Sequence, residues 1–411
     1  MKKILVIFDG LADLPTKSLR DKTPCEVART PNLDFFAKNG TLGYMYPLDK
    51  KIIPASDNAL ISIFGNDPKE CRRGVYEAIG AGINLKKNFL AFRINIGTIE
   101  NIKSKKVIDR RAGRTLTTKE SLELAKAINK KVKLPCNFEF KSTIQHRGVL
   151  ILKGKFSENI TNIDTEYSKT KSNIFRFSKP LDKNKKSIET AHILNDFIQQ
   201  AHKILNKHPI NLKRKKKGLY PANMIFTRGA GTKIPKIKSY KNWLSINSMP
   251  LEIGIAKVSK MKNYSTSLPK LKTIDVYKNL YSSLSKNIKF TKKILKKEHK
   301  NFEGCYIHFK ETDIPGHDNK PFEKIKMLQY IDEYFLSFLK KLTIENDWQI
   351  VVTCDHSTPC KLKNHSNHPV PVLLYNKKNK DETKRFTERE SRKGKLREIY
   401  GKNFMKKTKL I

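Results

Sequence analysis

The chain has 411 residues, of which 38% are apolar and 30% charged, and it carries a formal charge of +45. This length is ample for one or two packed cores. Low apolar content brings disorder into view as a class, but the apolar residues gather in short runs of the kind that build core strands, which excludes a wholly disordered chain. The charge would suit a polyanion; lysine is nevertheless spread along the chain without interleaved aromatics, one tight run at 213–217 apart, so a solvated lysine-rich surface is expected and nucleic acid is not the expected partner.

In chain order, residues 4–8 (ILVIF) read as a strand that Asp9 ends after five residues, short of the ~7–15 apolar residues of a signal-peptide core. Thr30 and Pro31 open a helix as N-cap and first position, and Gly40 closes it. Ser56 begins an apolar helix within PASDNALISIFG. From about 87 to 240 the texture changes: strands at 92–96 and 149–152, helices near 120–128 and 188–205, and lysine-rich stretches at 183–186 and 213–217 that read as exposed loops. Beyond come a strand at 305–309, a helix marked by Phe322, Ile325, Leu328, Ile331, Phe335, Leu339 and Leu342, and strands at 349–354 and 370–375.

This alternation indicates an α/β fold, a mainly parallel sheet flanked by helices. The chemistry-bearing segments lie on both sides of the middle region. The expected organisation is therefore a discontinuous domain of residues 1–86 and 241–411 with a second, smaller α/β (α+β) domain, 87–240, inserted into it. No segment approaches membrane-spanning length. The six cysteines (25, 71, 136, 305, 354, 360) form no CxxC pair, which argues against a zinc ribbon or disulfide framework and fits a reducing cytoplasm.

Four segments end a strand or open a helix with residues able to bind metal or attack an electrophile: Asp9 in FDG, Ser56, Asp313-Ile-Pro-Gly-His317, and Asp355-His356 with His365 beyond. Carboxyl ends of strands are where an open α/β sheet places its crevice. Mixed carboxylate and imidazole donors suit Mn²⁺ or Zn²⁺ better than Ca²⁺, and three Asp with three His can furnish two sites. Two ions could activate a serine and bind phosphoryl oxygens, and a helix N-terminus favours a phosphate. Each residue alone has a plainer reading: Ser56 as a helix cap, Asp9 as a turn residue beside Gly10, the histidines as satisfied loop residues. The conjunction in a chain with ten histidines favours a site.

FDG (8–10), TPNLD (30–34), Ser56-Asp57, EAIGAGINL (77–85), AFR (91–93), DRRAGR (109–114), RGAG (228–231), TDxxGHD (312–318) and DHSTPC with HSxxPVPVL (355–373) together resemble the archaeal type of cofactor-independent phosphoglycerate mutase, of the alkaline phosphatase superfamily. The resemblance runs over essentially the whole chain. It implies that Asp313, His317 and His365 hold one divalent ion and Asp9, Ser56, Asp355 and His356 another, Mn²⁺ being favoured over Mg²⁺, Zn²⁺ or Co²⁺, with no 2,3-bisphosphoglycerate. Ser56 would carry the phosphoryl group between the 3- and 2-positions of phosphoglycerate. Asp109, Arg110 and Arg114, with Arg93 and Arg73 behind them, would retain the glycerate, bidentate guanidinium pairing being suited to that task. The chain departs from the family pattern at His368, where relatives carry Asp before PVP, and at Arg72-Arg73-Gly74-Val75, where Gly-Arg-Gly-Pro is expected. A phosphatase, phosphopentomutase or phosphodiesterase on the same fold, and a non-catalytic RNA-binding polycation, are the alternatives; oligomeric state is open.

Overall fold

The computed structural model describes residues 1–164, 173–266, 274–298, 300–378 and 380–411. The strands in chain order are β1 (Lys3–Phe8), β2 (Thr41–Tyr46), β3 (Phe89–Ile99), β4 (Val107–Asp109), β5 (Asn137–Ser142), β6 (Arg147–Lys153) and β7 (Met224–Gly231). They continue with β8 (Trp243–Asn247), β9 (Lys262–Ser265), β10 (Gly304–Phe309), β11 (Gln349–Cys354), β12 (Val370–Tyr375) and β13 (Arg397–Tyr400).

Eight of these form one sheet in the order β13-β2-β12-β11-β1-β10-β8-β9, in which β12 alone runs against its neighbours. Strands β1, β10 and β11 at its centre are buried at every position but Lys3, as expected of parallel strands covered by helices on both faces. The other five form an antiparallel sheet in which β3 pairs with β4, β6 and β7, and β6 with β5. The fold is the mixed α/β architecture expected, with the second, α+β sheet interposed in the chain between β2 and β8.

The apolar side chains divide accordingly. One core draws on residues from Ile4 to Tyr76 and again from Tyr240 to Leu410, and another on residues from Leu90 to Phe226. The helix Arg73–Gly80 packs Val75 and Ala78 against Ala91, Val149 and Ile151 of the second sheet.

Two local expectations are corrected. Thr30 does not cap the helix Pro31–Lys38 with its side chain; Asp332 accepts from the backbone N–H groups of Asn32 (3.2 Å) and Leu33 (2.7 Å) instead. This satisfies the orphan donors of a helix start from a segment 300 positions away. The run at 213–217 is not a loop but largely the last turn of a helix, Pro209–Lys216. Its Arg214 points inward and donates to Tyr220 O, Thr115 Oγ1 and Glu120, while the lysines stay exposed. No helix among the described residues is long and apolar enough to cross a membrane.

Candidate active site

The carboxyl ends of β1, β10 and β11 lie side by side, with Phe8 paired to Phe309 and to Cys354, so the residues that follow these strands meet. Asp9 follows β1, and Asp355 and His356 follow β11. Asp313 and His317 lie one turn apart on the short helix Asp313–His317 after β10. The turn at Gly10 has φ +57°, and a Cβ there would come within 2.5 Å of Thr358 Oγ1 and 2.6 Å of Asp313 Oδ1; glycine fits where the backbone must be both left-handed and close to the site.

Asp313, His317 and His365 bring one donor atom each within 4.8 Å of one another. Beside them, His356 Nε2 lies 3.0 Å from Asp9 Oδ1, 3.5 Å from Asp355 Oδ2 and 3.2 Å from Ser56 Oγ. Ser56 is the first residue of its helix, after Ala55, and its hydroxyl faces this cluster instead of capping the helix. Thus Ser56, three Asp and three His from both ends of the chain converge. His308 was not anticipated: its Nε2 approaches Asp9 Oδ2 (3.9 Å) and Asp355 Oδ2 (4.0 Å). The available signal was its place near the carboxyl end of β10.

The donor set fits divalent cations, as the ring hydrogen bonds show. His317 Nδ1 lies 3.2 Å from Lys363 O and His365 Nδ1 2.9 Å from Pro54 O. A carbonyl only accepts, so each Nδ1 carries the proton and each Nε2 presents a lone pair. His356 Nδ1 faces Thr358 Oγ1 at 3.0 Å, and that hydroxyl donates to Asp313 Oδ1 at 2.8 Å, which leaves His356 Nε2 a lone pair as well. Outer hydrogen bonds of this kind fix metal-ligating imidazoles. Three lone pairs therefore face carboxylates, an arrangement that a cation between them would make favourable. Asp9 Oδ1 and Asp355 Oδ2 are buried without hydrogen bonds among the described residues.

Protonation states agree with this. Burial, opposed by Asp355, pulls His356 down to about 3. Burial pushes the Asp313 carboxyl up, but His317, His365 and His356 together hold it well below the usual range. Asp355 is likewise held down, against burial, by His356, His308 and Lys310. His356, Asp313 and Asp355 are thus deprotonated at neutral pH, as ligands must be.

A cavity of about 180 Å³ opens from Ser56 and Asp9 toward the antiparallel sheet. Arg73, Arg93, Arg111, Arg114, Arg147 and Arg228 line it, with Glu77, His146, Glu252 and Lys310. Arg73 Nε and Arg93 Nε both reach Glu77 Oε1, at 2.8 and 3.2 Å. Arg114 Nη1 lies 2.8 Å from Asp318 Oδ1. The departure at residues 72–75 does not remove Arg73 from the cavity, and His368 turns aside, its Nδ1 3.0 Å from Ser366 Oγ.

Asp109 and Arg110, expected to clamp substrate, line a shallower neighbouring surface instead. Asp109 Oδ1 accepts from the N–H groups of Arg111 (2.6 Å) and Gly113 (2.9 Å), tying the turn, and Arg110 pairs with buried Asp164 at 2.6 Å. The next residue, Arg111, does line the cavity. Arg147 and Arg228 carried no role in the sequence reading; cross-strand pairing sets Arg228 opposite Arg93 and Arg147 opposite Asn95.

Fold and site together define the class: an α/β enzyme for a small, strongly anionic substrate, equipped for divalent cations. A family profile described as 2,3-bisphosphoglycerate-independent phosphoglycerate mutase matches residues 37–211. The protein of that description from Thermococcus kodakarensis is 37% identical over 97% of this chain and 94% of its own length, and that from Pyrococcus furiosus 38% over the same shares. A solved Pyrococcus horikoshii protein superposes with TM-score 0.76 at 30% identity, covering 99% of this chain and 97% of that one. The cofactor-independent phosphoglycerate mutase of Thermoplasma acidophilum does so with TM-score 0.56 at 27% identity, covering 99% and 98%. The chain belongs to the 2,3-bisphosphoglycerate-independent phosphoglycerate mutase family.

Proposed function

We propose that the chain interconverts 3-phosphoglycerate and 2-phosphoglycerate through a phosphoserine at Ser56, without 2,3-bisphosphoglycerate. One observation carries the reading: the hydroxyl that meets the Asp and His donors opens into an arginine-lined cavity sized for a small anion. A hydrolase has no use for a second set of cations to retain its leaving group.

Asp313, His317 and His365 would hold one divalent ion, and Asp9, Ser56, Asp355 and His356 a second, Mn²⁺ being favoured over Mg²⁺, Zn²⁺ or Co²⁺. Bound there, the ions supply Lewis acidity and charge neutralisation for phosphoryl transfer. Ser56 Oγ forms a bond to phosphorus as the bond to the glycerate 3-oxygen breaks, and that oxygen ends protonated. Guanidinium groups among Arg73, Arg93, Arg111, Arg114, Arg147 and Arg228 hold the carboxylate and orient glycerate in bidentate fashion. The cavity keeps glycerate in place while it turns, and its 2-oxygen takes the phosphoryl group back. Residues 87–240 serve as the inserted clamp on a domain of 1–86 and 241–411, and Arg114 reaches Asp318 across the two. The free cysteines suit a reducing cytoplasm, where the reaction would serve glycolysis and gluconeogenesis.

The test is to incubate Mn²⁺-loaded protein with 3-phosphoglycerate and follow 2-phosphoglycerate and free phosphate together. Isomer without phosphate is expected; phosphate without isomer would assign the chain to the hydrolases.

A further inference from the structure

Lys310, directly after β10, is a cation that neither the metal donors nor the arginine clamp accounts for. Its Nζ contacts Asp9 Oδ2, lies 3.1 Å from Glu252 Oε1 and 3.4 Å from Ser56 Oγ, and its side chain is 21% exposed. Glu252 is 1% exposed, stands in the first turn of the helix Pro250–Val258, and lines the same cavity. Its Oε2 makes no hydrogen bond among the described residues.

An ammonium at this depth is costly without a partner, and Glu252 supplies one. Burial pulls the Lys310 ammonium below its ordinary range, with Asp355, Asp313 and Glu311 pulling it back up. Burial pushes Glu252 up to about 8, so near neutrality its carboxyl is largely protonated, adds little negative charge beside a site for phosphate, and accepts from Nζ through its carbonyl oxygen. Placed between Asp9, Glu252 and the serine, the ammonium retains Glu252 as a hydrogen-bond acceptor whenever Asp9 is engaged elsewhere. A phosphoryl group on Ser56 would carry its other oxygens into the space this ammonium already reaches. Lysine suits the position, because its ammonium is a compact point charge where a planar guanidinium would need more room.

We propose, resting on the phosphoryl transfer assigned to Ser56, that Lys310 is a further catalytic residue that binds the transferring phosphoryl group, and that Glu252 positions it. No proton of Lys310 is transferred in the step. The serine Oγ–P bond forms, the P–O bond to glycerate breaks, and the proton lost by serine ends on the glycerate oxygen. Fixed charges aimed at a transition state commonly contribute about 10²–10³ in rate, and a comparable loss is expected on removing this one.

The experiment compares Lys310→Met, Lys310→Arg and Glu252→Gln in the full chain loaded with Mn²⁺. Three quantities are read: Mn²⁺ stoichiometry by calorimetry, affinity for orthovanadate as a phosphoryl-transfer analogue, and kcat separately from KM. Lys310→Met should keep two Mn²⁺, bind vanadate at least about tenfold more weakly, and lose about 10²–10³ in kcat with little change in KM. Lys310→Arg should recover part of that loss, and Glu252→Gln should show a smaller loss of the same pattern. Vanadate affinity and kcat unchanged in Lys310→Met would overturn the assignment, as would loss of Mn²⁺ binding, which would make Lys310 a part of the metal scaffold. Glu252→Gln indistinguishable from the parent would overturn the positioning role. If the parent chain makes no 2-phosphoglycerate while the vanadate measurements behave as expected, the mutase reading falls and the phosphoryl-binding role of Lys310 stands.

Discussion

Asp164→Asn tests the electrostatic logic of the clamp. Asp164 has a fully buried carboxylate. Oδ1 pairs with Arg110 Nη2 at 2.6 Å, and Oδ2 lies 3.8 Å from both Arg93 Nη1 and Arg228 Nε and accepts from Asn95 Nδ2 at 3.1 Å. Asparagine keeps the shape and removes the charge that Arg93, Arg110 and Arg228 share. Removing one partner of a buried ion pair costs about 3–5 kcal/mol. At ~2–4 °C per kcal/mol for a unit of 150–250 residues, the transition of the antiparallel-sheet region should fall by roughly 6–20 °C. Burial raises the Asp164 carboxyl pKa, but Arg228, Arg110 and Arg93 hold it below its ordinary value. A carboxylate depressed in the folded state contributes stability that is present above its unfolded pKa of about 3.9 and is lost as pH falls through the folded value. The deficit of the variant should thus be constant near neutrality and shrink only in acid. KM for 3-phosphoglycerate should rise, since Arg93 and Arg228 each lose an anchoring charge. Differential scanning calorimetry between pH 3 and 8 with parallel kinetics reads both effects. A shift under ~2 °C with unchanged KM would refute the reasoning, given the scale of a 1 kcal/mol change.

Other perturbations separate site from scaffold. Ser56→Ala should abolish isomerisation while the chain stays folded and still binds Mn²⁺, more weakly, as circular dichroism and calorimetry would show. Chelation should stop turnover and lower Tm; restoring Mn²⁺ to 100 times its Kd should return about 2.7 kcal/mol per site. Lys324→Met breaks the buried contacts of its ammonium with Asp13 Oδ2 (2.8 Å) and Thr358 O (2.9 Å) and should cost about 3–5 kcal/mol. Burial lowers the Lys324 pKa, but Asp13 and Cys360 bring it above its usual value; that stabilisation is complete at neutral pH and fades only as pH rises through the folded value, so thermal melts at pH 6 and 8 should show the same deficit. Asp109→Ala should raise KM with kcat nearly unchanged, because Asp109 acts by tying the backbone of the turn that presents Arg111.

Most of the proposed metal donors were legible in the sequence because they are locally written. Asp9 terminates an apolar strand, Asp313 and His317 stand one helical turn apart, and Asp355-His356 follows another apolar strand. The proposed clamp was less legible because it depends on pairing. Arg93, Arg147 and Arg228 sit on three strands of one antiparallel sheet, and only register brings them to the same cavity. Asp109 and Arg110 were legible as members of DRRAGR, but order in sequence does not say to which side of an irregular turn each side chain goes. The helix Val276–Glu298 also escaped: Leu284, Ile288 and Leu295 mark its buried stripe, yet lysines and serines between them blur the period.

The placement of the cations explains why a charge of +45 said so little about function. Among the described residues, the lysine and arginine side chains buried in the protein are Arg93, Arg214, Arg228 and Lys324; nearly all lysines remain in water, where their charge affects solubility and not fold. The cavity instead relies on guanidinium groups, which are more weakly hydrated and can share carboxylates through several donors. Even so, the carboxylates do not balance them. Burial and then the neighbouring Arg114 and Arg110 pull Arg111 down to about 10, and burial and then Arg93 pull Arg147 down to about 10. Burial is the larger cause of each shift, and the further lowering by neighbouring guanidiniums reports a surplus of positive potential at that point. The surplus is relieved by a multiply charged anion, so substrate should bind more tightly than any neutral analogue of the same shape, and raising the salt concentration should weaken it less than it weakens contacts on the exposed lysine surface.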